Sequence, residues 1–184
     1  MYFLKSISDD VRSSQTVFKN HSKMKQHVLG ALFGSIAAVL QSAGGFLPGV
    51  GYFISPFATA PILFCSILSL PLGIMSYILT NLLLLILQPS ELIVFPFTTG
   101  LLGLGIGLAF TFFRKRLSII VTGAVILTLG IISLLYIFQF PVLGPAVPNS
   151  FSFLTTIGIF VFAILYNWIW VGISLIIFKR IKKL

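Results

Sequence analysis

The basic residues of this chain fall in three clusters, Lys5 to Lys25, Arg114 to Arg116 and Lys179 to Lys183, and the stretches between them are almost wholly apolar. Between Lys25 and Arg114 the one formal charge is Glu91, and between Arg116 and Lys179 there is none. Apolar runs of that length are solvated by lipid. Charged residues make up 8% of the sequence, against about 25% in a soluble domain, which excludes a water-soluble fold. A net charge of +9 would point to nucleic acid in a soluble chain. Here the basic residues flank apolar spans, as the positive-inside rule expects, and no nucleic-acid partner is implied.

A spanning helix needs roughly 20 apolar residues to cross about 30 Å of hydrocarbon. The sequence divides into six such spans: Val28 to Leu47, Tyr52 to Leu70, Pro71 to Gln88, Ile93 to Phe113, Leu117 to Phe138 and Phe153 to Phe178. Pro48-Gly49, Pro71, Pro89-Ser90 and Arg114-Lys115-Arg116 punctuate the first five, and a Pro- and Gly-containing loop from Gln139 to Ser152 precedes the sixth. With both termini cytoplasmic, six spans return every basic cluster to the same side, whereas five or seven would strand one outside. The expectation is an all-α, multi-pass bundle of six transmembrane helices in a bacterial plasma membrane. Residues 1–26 would form a basic cytoplasmic segment, partly helical at the surface, and 27–184 the transmembrane domain. The Lys-rich start followed by an apolar run and Ser42-Ala43-Gly44 also has the outline of a signal peptide with a cleavage site, although the charged region is long and apolar character resumes after Gly45.

Chemistry within the bilayer requires nucleophiles, acids, bases or metal ligands, and this chain has few. His21 and His27 lie in or beside the basic amino-terminal segment, Asp9 and Asp10 lie within it, and Cys65 is the single cysteine. No His, Cys or acidic group has metal-ligand spacing, no phosphate-cradling Gly-rich Lys motif occurs, and no intrachain disulfide can form. Neither enzymatic activity nor a cofactor or metal is expected, and the ionisable relay typical of proton-coupled transport is missing.

The remaining candidates are uncharged polar groups and one carboxylate. Asn81 and Asn167 each lie about 15 Å along a helix, near the midplane, where an amide either bridges helices or meets a ligand. Pro56 and Pro61 interrupt the second span and release the carbonyls of Tyr52 and Phe57, which Ser55 and Thr59 can satisfy unless the broken helix lines a cavity. Glu91, between Pro89 and Phe95-Pro96, is either solvated at the outer surface or folded over a cavity mouth to bind a donor. Gln41, Gln139 and Asn149 lie at the same level. Trp168 and Trp170 are too deep for an interfacial belt and read as packing residues or as a stacking surface for an aromatic ligand. Gly30, Gly34 and Ala38 form one small-residue stripe, and Gly103 with Gly107 forms another; each permits close approach of a helix from this chain or from a separate subunit.

The six-helix architecture, the Gly30-x-x-x-Gly34-x-x-x-Ala38 stripe, and the stretches Ser55 to Leu63, Leu70 to Ile74 and Asn81-Leu82-Leu83 together resemble the substrate-binding S component of energy-coupling-factor vitamin transporters. Riboflavin-type members carry a more polar segment where this chain has Phe57-Ala58-Thr59, so no particular vitamin is indicated. The resemblance implies a protein that captures a small metabolite from outside, docks through the first-helix stripe on a transmembrane coupling subunit, and leaves ATP hydrolysis to separate cytoplasmic ATPases. On that reading Asn81, Glu91, Asn167, Trp168, Thr59 and Asn149 are the ligand candidates. The competing expectation is a non-transporting membrane helper, immunity or assembly protein acting only through helix contacts. A small channel or lipid-handling protein is a further, weaker possibility.

Overall fold

Six apolar helices form an antiparallel bundle in the computed structural model, which describes residues 15–16, 18–20, 22–47, 49–140 and 152–181. They are α1 (Lys23–Phe46), α2 (Gly51–Leu68), α3 (Leu70–Leu87), α4 (Glu91–Phe112), α5 (Arg116–Ile137) and α6 (Phe153–Ile181). Each is long and apolar enough to span a membrane, and their limits follow the sequence-derived spans to within a few residues. The chain is an all-α, multi-pass membrane protein. Asn149 lies outside the described residues.

Two ends of the bundle are distinguished by charge. At one end, Gln15 donates to the Ile67 carbonyl (2.6 Å), Phe18 packs on Cys65 and Leu72, Phe64 meets Phe178, and Arg116 approaches Gly172. This end carries the basic residues and is the cytoplasmic one by the positive-inside rule. The opposite, outer end holds the α1–α2 and α3–α4 connections. Gly49 turns the first of these at φ +79°, a conformation that side chains with a Cβ rarely adopt.

Three helices are interrupted. In α2 a 3-10 segment, Ser55–Ala58, joins Gly51–Ile54 to Thr59–Leu68. Pro56 and Pro61 each fall in the first turn of a new segment, where the missing N–H is not required. In α4 a short turn, Glu91–Val94, is separated from Thr99–Phe112 by an irregular stretch containing Pro96. That break was not read from the sequence, although Phe95-Pro96 was its signal. The outer end of α5 widens into a π-helical turn, Ser133–Ile137, where the Ser133 hydroxyl donates to the Leu129 carbonyl.

Small residues set the close helix crossings. Gly30 and Gly34 of α1 face α3, and their carbonyls accept from the hydroxyls of Ser76 (2.9 Å) and Thr80 (3.0 Å). A Cβ at Gly30 would meet Leu72 at 2.6 Å, and one at Gly34 would meet the Ser76 carbonyl oxygen at 3.0 Å. Ala38 is also fully buried. Of the two readings of the stripe, Gly30 and Gly34 follow the first: they are covered by α3 of the same chain, not left open for the coupling subunit that the resemblance implies. The interhelical bonds of the stripe, each worth roughly 0.6–2 kcal/mol, come from Ser76 and Thr80 rather than from Asn81. Deeper in the bundle, the buried Ser66 of α2 sits between Gly73 of α3 and Gly107 of α4, while Gly103 rides over Ile62 and Leu63. The main core joins α2, α4, α5 and α6 through Leu63, Leu102, Ile106, Leu127, Ala163 and Val171.

Candidate functional site

A cleft of about 890 Å³ lies at the outer end, between the end of α1, the broken start of α2, the start of α4, α5 and the middle of α6. The irregular backbone described above is what makes room for it. The 3-10 turn of α2 puts Tyr52, Ser55 and Pro56 on one wall, and the break in α4 puts Glu91 and Val94 on one side of the kink and Thr98 and Thr99 on the other.

One wall is polar. The side chain of Gln41, 1% exposed, is held at both ends: its amide nitrogen donates to Glu91 Oε2 (2.7 Å) and its oxygen accepts from the Thr99 hydroxyl (2.7 Å). Glu91 is half-buried, and among the described residues it forms no ion pair and receives no hydrogen bond at Oε1. Gly44 makes this placement possible, because a Cβ there would lie 2.7 Å from Oε1. Gly45 does the same for Gln88, whose amide donates to Ser90 at 3.2 Å. The facing wall is apolar and aromatic, formed by Leu127 and Ile131 of α5, Phe140, and Phe162 and Tyr166 of α6.

Tyr166 ties this wall to the broken helix. Its hydroxyl donates to the Pro56 carbonyl at 2.9 Å and lies 3.4 Å from the Thr59 hydroxyl. Its ring stacks on Phe162 and meets Trp170 edge-on, and Trp170 in turn meets Phe57 edge-on. The carbonyl that α6 satisfies at the α2 break is that of Pro56, and among the described residues the hydroxyls of Ser55 and Thr59 make no hydrogen bond to the Tyr52 or Phe57 carbonyls.

Of the residues singled out from the sequence, Glu91 lines the cleft and Gln41 joins it. Thr59 is fully buried beneath Tyr166 and does not line the cleft. Asn81 stays on its own helix, donating to the Tyr77 carbonyl at 2.8 Å, so it neither bridges helices nor meets the cleft. Asn167 is fully buried, donates to the Ala163 carbonyl at 2.8 Å, and turns an Oδ1 without a hydrogen-bond partner towards Gly123 of α5, away from the cleft. Trp168 is 45% exposed on the bundle surface and is not a stacking platform, whereas Trp170 is a buried packing residue behind Tyr166. Gln139 is exposed and outside the cleft. Tyr166, Thr99, Gln88 and Phe162 were not anticipated. Among the described residues no group of His, Cys, Asp and Glu side chains is placed to hold a metal. No protein-family model, curated protein or solved structure matches the chain.

Proposed function

We propose that this protein is a membrane-embedded solute-binding subunit of a bacterial importer, taking a small metabolite from outside and relying on separate ATPase subunits for energy. The observation that supports this reading most directly is the cleft itself. Its volume lies within the roughly 300–1,000 Å³ typical of small-molecule sites, and its lining is mainly apolar with a few fixed polar groups, as such sites usually are. It lies at the outer end, where a solute arrives, with Tyr166 in its lining and the apolar core below.

The route from outside to inside is not provided by this chain alone on this reading. No Asp, Glu, His, Lys or Arg lies within the spans between the cleft and the basic end, so the usual carboxylate or imidazole proton relay is missing from them. A coupling partner would have to engage a face other than the stripe, in which α3 covers Gly30 and Gly34 and Ala38 is buried. The helper reading rests on the shortage of ionisable residues, and the second small-residue stripe is covered within the chain, by α2.

Native mass spectrometry of protein purified gently from its own host tests the proposal. A stoichiometric small molecule together with ATPase subunits is the expected result. A protein that is reproducibly empty and bound only to another membrane protein would favour the helper reading.

A further inference from the structure

We infer that the solute carries a protonated amine attached to an apolar or aromatic body, with Glu91 as its counter-ion; this rests on the cleft being a solute site. Four observations converge. First, Glu91 is the one formal charge anywhere between the first and the last basic cluster that is not part of the Arg114-Lys115-Arg116 group, so the outer half of the spans has a single, negative charge. Second, that charge has no ion-pair partner among the described residues. A half-buried carboxylate loses part of its hydration, a cost that a cationic partner offsets.

Third, the carboxylate is held and aimed. Thr99 donates to the Gln41 oxygen and the Gln41 amide NH₂ donates to Glu91 Oε2, which fixes the position of the carboxylate. Oε1 is left with no protein donor, in a position kept open by Gly44. Fourth, the surface opposite is an aromatic and aliphatic wall, with Phe162 stacked on Tyr166 and with Leu127 and Ile131 beside them. A ligand spanning the two walls presents a cation at one end and an apolar body at the other. An anionic solute would meet Glu91 unfavourably, and a neutral one would leave the carboxylate unpaired.

The test uses the full chain in lipid nanodiscs and three probes of one shape: 4-phenylbutylamine, 4-phenylbutan-1-ol and 4-phenylbutanoate. In a Trp168→Phe background the remaining tryptophan, Trp170, packs against Tyr166 of the cleft and reports occupancy by fluorescence, with partition into empty nanodiscs subtracted. The expected result is binding of the amine about tenfold or more tighter than the alcohol, the scale of a charge-assisted hydrogen bond, and no binding of the carboxylate. Glu91→Gln should weaken the amine about tenfold or more and so remove its advantage over the alcohol. Equal affinities for amine and alcohol in the unmutated cleft would overturn the amine assignment while leaving the cleft as a solute site, and that comparison decides the matter even if Glu91→Gln does not fold. If none of the three probes binds, the solute-site reading falls with it.

Discussion

Replacing Gly107 by Ala tests whether the bundle is as tightly drawn as the Ser66 crossing implies. A Cβ at this position would overlap the Ser66 Cβ and lie 2.9 Å from the Ser66 carbonyl carbon and 3.1 Å from its Cα. Carbon atoms in comfortable contact are about 3.5–4.0 Å apart, so α4 must retreat from α2 by something near 1 Å. The contacts are to backbone and to a short side chain, with no flexible end to move aside. Overpacking of this kind costs about 1–3 kcal/mol, more here because the contacts are to backbone, and the better helix propensity of Ala returns about 0.5–1 kcal/mol, leaving a net loss of up to about 2.5 kcal/mol and near 1 at the middle of both ranges. Gly158→Ala is the matched control. It makes the same chemical change at an exposed position with nothing within 4 Å among the described residues, and should be neutral or stabilising by up to about 1 kcal/mol. Equilibrium unfolding in mixed micelles titrated with SDS reads both. Adding Ser66→Gly to Gly107→Ala should recover part of the loss, since it removes the nearest clash but leaves the backbone contacts. A Gly107→Ala protein as stable as the parent, or one that Ser66→Gly does nothing to relieve, would refute the reasoning.

Further outcomes follow from the cleft and the topology. Gln41→Leu should cost about 1–3 kcal/mol in the same unfolding assay, because it removes the donor that Glu91 accepts from and strands the Thr99 hydroxyl. Tyr166→Phe keeps the ring stack but loses the bond to the Pro56 carbonyl, so stability should fall by about 0.5–1.5 kcal/mol and the fluorescence response of Trp170 to bound probe should weaken. Asn81→Ala, by contrast, should change stability and binding little, within about 0.5 kcal/mol, and a large loss of binding would return Asn81 to the site. Cys65 is fully buried, so the parent chain should not react with a membrane-impermeant maleimide. Ser90→Cys should then label in intact cells and Lys25→Cys only after permeabilisation, and the reverse pattern would invert the topology.

The spans were legible because lipid imposes a length and the positive-inside rule imposes a parity, and both are one-dimensional properties of the sequence. Glu91 was conspicuous for the same reason, as a lone charge in an apolar half. What the sequence did not carry was the rotational phase of each helix. Tyr166, Asn167 and Trp168 are consecutive, and at about 100° per residue they point in three directions: Tyr166 into the cleft, Asn167 against Gly123, and Trp168 outward. Hydrophobic periodicity normally fixes that phase, but a helix that is apolar all round has almost none. The polarity of Asn81 and Asn167 therefore drew attention to two amides that largely satisfy their own helices. The pairing of Gln41 with Glu91 and Thr99 depends on the kink in α4, and a Pro near a helix start does not by itself say whether the helix begins after it or continues through it.

The partners of α1 also order events during synthesis. Its glycine carbonyls are met by residues 46 positions later in the chain, and its Gln41 by residues 50 and 58 positions later. At roughly 5–20 residues per second, α1 waits about 2–12 seconds after emerging from the ribosome before α3 and α4 arrive to complete it. It is also the least apolar of the six spans. The first helix to be made is thus not complete until Thr99 has followed it, and during that interval it depends on the insertion machinery rather than on its own chain to keep its polar groups out of the lipid.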